Sequence, residues 1–214
     1  MTDCMLKYFN DKFAVSKKDI GEYAKIDRNG MHFKIDCYDV KDAGSLMIMN
    51  MSAMLGLMKM TSAVFTSTDI DAPLFSADFV SAAGNNTLLL ELYDTCLSPW
   101  DASPLEQLKK SAADIPDHDP GVHWYDDIRL PASSFKKCRK NYDALSRYAN
   151  DYICEYVRLL DDTPKCGRDE KLAKNSEYTE GLISNGGPAV DQFVKMLGKE
   201  KTAEFLKKYM FVCE

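Results

Sequence analysis

The chain has 214 residues, 45% of them hydrophobic and 28% charged, and a formal net charge of -6. This length and apolar share predict a single globular domain over residues 1–214, and the acidic balance argues against a general nucleic-acid binder. Met1–Met5 carry no basic stretch leading into an apolar run, and no run reaches the roughly 18 residues of a membrane helix. A cytoplasmic chain with no membrane association is therefore expected. Seven cysteines are scattered without a Cys-x-x-Cys pair, which argues against a disulfide framework or a zinc site and for reduced thiols.

The pattern divides the chain into a strand half, residues 31–95, and a mainly helical half, residues 102–212. His32–Tyr38 alternates as a strand and Lys41–Gly44 reads as a turn. Leu46–Met51 follows, with Met47, Met49 and Met51 on one face and Leu46, Ile48 and Asn50 on the other. After a turn near Ala53–Gly56, Leu57–Phe65 places Lys59, Thr61, Ala63 and Phe65 on one face. Thr66–Asp71 is a polar loop, Leu74–Ser81 is another strand, Gly84-Asn85-Asn86 signals a turn, and Thr87–Tyr93 closes the series. Short connections between successive strands predict an antiparallel meander.

Asn141 is a suitable N-cap for a helix through Leu160, whose apolar stripe runs through Leu145, Tyr148, Tyr152 and Tyr156. A more polar helix lies within Asp169–Ile183. Pro188 sits near the first turn of a helix that Gly198 ends, and Glu200–Met210 form the last. One sheet covered by helices gives an α+β class, an α/β/α sandwich with a central antiparallel sheet. Of the eleven methionines, five fall within Met47–Met58. Periodicity alone favours a core filler; an adaptable apolar pocket is the alternative.

Three stretches in this order resemble the ferredoxin-dependent bilin reductases. The first is Ala72-Pro73-Leu74-Phe75-Ser76-Ala77-Asp78-Phe79-Val80, then Gly84 and Glu91-Leu92-Tyr93-Asp94. The family has Pro-Leu-Phe-Gly-x-Asp-Ile-Val, a glycine turn and an apolar strand ending in Asp; Ser76 stands at the family's glycine. The second runs from Tyr178 through Asn185, Pro188 and Ala189 to Lys195-Met196-Leu197-Gly198. The third is the closing helix Ala203–Phe211. Trp124 fits a further family position, a Trp before a Phe-Ser pair.

The resemblance implies a cleft between the sheet and the C-terminal helices that takes biliverdin or a related linear tetrapyrrole. It implies no bound cofactor or metal, with reduced ferredoxin as the external electron donor and side chains as proton donors. Asp78 matches the family's catalytic aspartate. In an apolar cleft its pKa rises, because desolvation disfavours the anion, and this suits a proton donor near neutral pH. Met47, Met49, Asn50, Met51, Lys59, Thr61, Phe75, Asn185 and Pro188 are the substrate-contacting residues the resemblance implies.

Counted without gaps from Asp78, Thr61 stands where the phycocyanobilin-forming branch has a His. Met49, with Asn50 adjacent, stands where that branch has an acid, and Gly187 replaces an Asp before Pro-Ala. Glu91 and Asp94 are the nearest candidates for a second acid. Two alternatives follow from these departures: a non-catalytic tetrapyrrole binder on the same fold, or a reductase of an opened chlorophyll or haem catabolite. Lys136, Lys137, Arg139 and Lys140 form the densest basic run, with Lys207-Lys208 as a possible addition. Such a run is usually a solvated face, and docking of an acidic ferredoxin is its specific alternative. His118 and His123 lie in an acidic loop that reads as solvated, and no phosphate-binding glycine motif is present.

Overall fold

The structure is a computed structural model that describes residues 2–139 and 142–214. An eight-stranded antiparallel sheet forms its centre. Five long strands follow one another as a meander: β3 (Met31–Val40), β4 (Gly44–Ala53), β5 (Met58–Ser67), β6 (Leu74–Ala82) and β7 (Asn85–Tyr93). Two short strands, β1 (Val15–Lys18) and β2 (Lys25–Arg28), share the outer edge of β3, at its C-terminal and N-terminal ends respectively. The other edge is completed by β8 (Ser134–Cys138), antiparallel to β7.

The period-two alternation gives the sheet two different buried faces. On one, Leu46, Ile48, Ala63, Phe65, Phe75, Ala77, Leu88, Leu90 and Leu92 meet helices α1 (Thr2–Lys12), α2 (Ser103–Ser111) and α3 (Tyr142–Asp161). On the other, Phe33, Met49, Met51 and Tyr93 meet α4 (Arg168–Asn185), α5 (Pro188–Leu197) and α6 (Lys199–Phe205), which continues as a π-helical turn over Leu206–Met210. The result is an α/β/α sandwich. No helix among the described residues is long and apolar enough to cross a membrane.

Helix α3 docks through three tyrosines spaced four residues apart, and so on one face. Their hydroxyls donate to Ser134 Oγ (Tyr148, 2.8 Å), the Ala132 carbonyl (Tyr152, 2.9 Å) and the Pro73 carbonyl (Tyr156, 2.9 Å). Each ring is buried in the apolar layer while its polar tip finds an acceptor. The ring of Phe75 lies 4.4 Å from that of Tyr156.

One expectation is revised. The half expected to be mainly helical contributes β8, which completes the sheet. Asn141, the expected cap of α3, and Lys140 lie outside the described residues.

The second helical layer is anchored by a buried cation. Lys171 of α4 is fully buried, and its ammonium donates to the Ala72 carbonyl (2.7 Å), the Thr95 carbonyl (2.6 Å) and Asp71 Oδ1 (3.4 Å). The Asp71 carboxylate in turn accepts the backbone N–H groups of Leu97 and Ser98. This cluster ties α4 to the loops flanking β6 and β7. Removing one partner strands the other charge in a low dielectric. Lys171→Ala is therefore expected to cost about 3–5 kcal/mol in urea unfolding; a loss below about 1 kcal/mol would show that the cluster does not anchor the layer.

Candidate functional site

A cavity of about 490 Å³ lies between the second face of the sheet and α4–α6. Strand register decides which side chains reach it. Met49 pairs with Ser62, Ser62 with Asp78, and Asp78 with Leu89, so this row runs across four strands on one face. Neighbouring rows on the same face add Met51, Met60 and Val80 on one side and Ser76, Glu91 and Tyr93 on the other. The helical wall supplies Tyr178, Leu182, Val190, Phe193 and Met210. Among the described residues six methionines line the cavity, and no Lys, Arg or His does. An apolar, polarizable wall with few polar groups suits a flat conjugated ligand.

The carboxyls and the two serines of the wall are all on β5–β7, while the helical side adds Gln192. Asp78 opens to the cavity, with the rest of its side chain enclosed by protein. Burial raises its carboxyl above the ordinary aspartate range, opposed by hydrogen bonds from Ser62 and from Ser76, whose Oγ lies 3.1 Å from Oδ2. Glu91 is pushed up to about 7, first by burial and then by the charge of Asp78, with Tyr93 and Arg129 pulling the other way. Arg129 Nη1 stands 3.5 Å from Glu91 Oε1, and Nη2 stands 2.9 Å from Asp126 Oδ1. Both carboxyls sit in an apolar wall with pKa values raised by burial, the direction that desolvation gives to an acid.

Aromatic side chains close the same end. The Tyr93 ring lies 4.7 Å from that of Tyr178 and 5.4 Å, edge-on, from that of Tyr125. Burial raises both Tyr93 and Tyr178, so these phenols stay neutral. Trp124 lies over α4, its Nε1 donating to the Gly186 carbonyl at 3.3 Å. A Cβ on Gly181 would stand 2.4 Å from the Trp124 ring, so only glycine lets the indole lie this close to the helix.

The expected site residues fall in three groups. Asp78, Met49 and Met51 line the cavity; Met47 is buried on the same face but is not part of the cavity wall. Pro188 begins α5, between Gly187 and Ala189, which both line the cavity.

Asn50, Lys59, Thr61 and Phe75 are on the opposite face. Thr61 pairs with Asn50 and Phe79, and its hydroxyl donates to Asn50 Oδ1 at 3.1 Å; Lys59 pairs with Ser52. Phe75 belongs to the α3 core. The inward position on β5 is Ser62. The gapless count missed this because the loop between Ser67 and Leu74 does not dictate register, and a slip of one residue exchanges the faces. Asn185 is exposed and its amide donates to the Gly181 carbonyl of its own helix at 3.0 Å.

Of the two candidates for a second acid, Glu91 is in the wall. Asp94 is exposed, with its carboxylate accepting the Cys96 N–H. The alternation of Leu89, Glu91 and Tyr93 was the available signal, since it puts all three on one face. Ser62, Ser76, Tyr125, Tyr178 and Arg129 were not anticipated as parts of the wall or its support.

The basic run does not form one free surface. Lys136 points inward from β8, is 3% exposed, and donates to the Ile115 carbonyl (3.0 Å) and Asp117 Oδ1 (2.8 Å). Lys137 and Arg139 are exposed. Lys207 and Lys208 pair with Glu180 and Glu204.

No protein-family model and no curated protein sequence matches the chain. Among solved structures it is similar to phytochromobilin synthase from tomato in complex with biliverdin. The TM-score is 0.79 at 13% identity, over 98% of this chain and 81% of that one. The likeness establishes a shared fold.

Neighbouring residues on β5 test the face assignment. Met60→Trp should fill the cavity and lower uptake of the apolar probe Nile red several-fold, whereas Thr61→Trp should leave it unchanged, as read by fluorescence titration. The reverse order would place the cavity on the wrong face.

Proposed function

We propose that the chain binds biliverdin or a related linear tetrapyrrole in this cavity and reduces it with electrons from ferredoxin, with Asp78 as proton donor. The observation that carries the reading is an acid with a raised pKa set in an apolar cavity, on a fold shared with an enzyme crystallised with biliverdin. Met49, Met51, Met58 and Met60 would lie along the flat face of the tetrapyrrole, and α4 and α5 would cover it. A volume of about 490 Å³ falls within the usual range for enclosed small-molecule sites. Each electron added to the conjugated system builds negative charge, and protonation relieves it. A carboxyl whose pKa is raised by burial is suited to that step.

A second reading is a non-catalytic tetrapyrrole binder. What favours it is that no imidazole is in the wall among the described residues, which leaves two carboxyls as its strongest acids there. Lys137 and Arg139 remain candidates for contact with an acidic electron donor.

Wild-type protein should take up about one biliverdin per chain with a changed long-wavelength band; a spectrum identical to free biliverdin at high protein excess would end the reading. Asp78→Asn should bind biliverdin normally, accept an electron from reduced ferredoxin, and form product about 10²–10⁴-fold more slowly. Product formation at the wild-type rate would remove Asp78 as the donor. Binding without reduction by the wild type would favour the non-catalytic reading.

A further inference from the structure

We propose that Glu91 is a second acid of the cavity, delivering one of the two protons consumed when a tetrapyrrole double bond is reduced, and that Arg129 is its positioning residue. The inference rests on the reductase reading above. Register carries it. Ser76 pairs with Glu91 and Asp78 with Leu89, so Asp78 and Glu91 are diagonal neighbours on adjacent strands and both face the cavity. Such diagonal positions are about 7–8 Å apart, within reach of one bound ligand. The resemblance placed a second acid near Met49, two strands away on the other side of Asp78. Here that position is apolar, and the carboxyl comes from β7 instead.

Glu91 is more than a wall residue because its charge is held in balance by fixed groups. Asp78 faces it from β6, Tyr93 from its own strand, Arg129 and Tyr125 from the connection before β8, and Tyr178 from α4. Arg129 is immobilised by Asp126 and by the Phe135 ring, whose centroid lies 4.8 Å from its guanidinium carbon. Burial and Asp78 push the Glu91 carboxyl up, Tyr93 and Arg129 pull it down, and it settles at about 7. An acid poised at neutrality gives up a proton and regains it from solvent within a catalytic cycle.

Two one-electron transfers from reduced ferredoxin and two protons, one each from the Asp78 and Glu91 carboxyls, convert a carbon–carbon double bond of the ligand to a single bond with two new C–H bonds. Two ferredoxins are oxidised. Both carboxylates are left anionic and take protons from water before the next turnover.

The test is single turnover of bound biliverdin by reduced ferredoxin across pH 5.5–9, followed by the visible spectrum. Wild-type turnover should fall as pH rises through about 7, as Glu91 loses its proton. Glu91→Gln should bind biliverdin, keep the first electron transfer, hold the radical longer, form product at least tenfold more slowly at pH 6, and lose that alkaline limb. Arg129→Met removes a cation that lowers the Glu91 pKa, so its limb should move to higher pH.

A purely structural Glu91–Arg129 pair would change stability and leave both the limb and its position as in the wild type. Wild-type turnover and limb in Glu91→Gln would overturn the inference. If that variant does not fold, an unmoved limb in Arg129→Met would overturn it. A wild type whose addition leaves the biliverdin spectrum unchanged would instead defeat the underlying reading, and this inference with it.

Discussion

The pairing of Ser62 with Asp78 across β5 and β6 organises the site. Side chains alternate along a strand, so this one register sends Met49, Ser62, Asp78 and Leu89 to the cavity and Asn50, Thr61, Phe79 and Leu88 to the other side. Shifted by one residue, β5 would place Thr61 opposite Asp78 and turn Lys59 and Thr61 toward the cavity in place of Met60 and Ser62. The register is held by burial on both faces. On one side Phe65, Phe75 and Leu92 pack against the tyrosine stripe of α3; on the other, Met49 and Met51 pack beneath the C-terminal helices. A slip would expose both apolar sets at once, at about 25 cal/mol for each Å² of apolar surface returned to water.

The two buried polar clusters do different work. Lys171 is satisfied by two carbonyls and Asp71, and its ammonium sits entirely within protein; it fixes α4 over the sheet. Asp78 has hydroxyl partners and Glu91 a guanidinium at 3.5 Å, yet both still face an apolar space. Their raised pKa values record the incomplete compensation. A fully paired carboxylate would be a poor acid near pH 7, and an acid left with apolar walls is a better one. The glycine at 181 admits the Trp124 ring, and Tyr93, Tyr125 and Tyr178 pack together around Glu91 at this end of the cavity.

Much of the architecture was legible before the structure. The alternation in Leu46–Met51, the Gly84 turn and the tyrosine stripe of α3 each follow from local periodicity, and local periodicity is what sequence exposes most directly. The motif around Asp78 pointed to a residue that lines the cavity. What was not legible depends on partners distant in sequence. Thr61 and Lys59 were placed on the wrong face because pairing across the loop from Thr68 to Pro73 is set by packing. Lys136 read as part of a solvated basic run because its acceptors, Asp117 and the Ile115 carbonyl, lie in a separate loop. Strand β8 is short and carries two lysines, so its pattern gives little sign that it completes a sheet.

The central claim is that the methionine-lined face with Asp78 and Glu91 is where a linear tetrapyrrole sits. A crystal structure of the protein with biliverdin tests it most directly. The account predicts the ligand between Met49, Met51 and Met60 on one side and α4–α5 on the other, with a pyrrole ring in hydrogen-bond reach of Asp78. A tetrapyrrole bound over Asn50, Lys59 and Thr61, on the opposite face of the sheet, would contradict it.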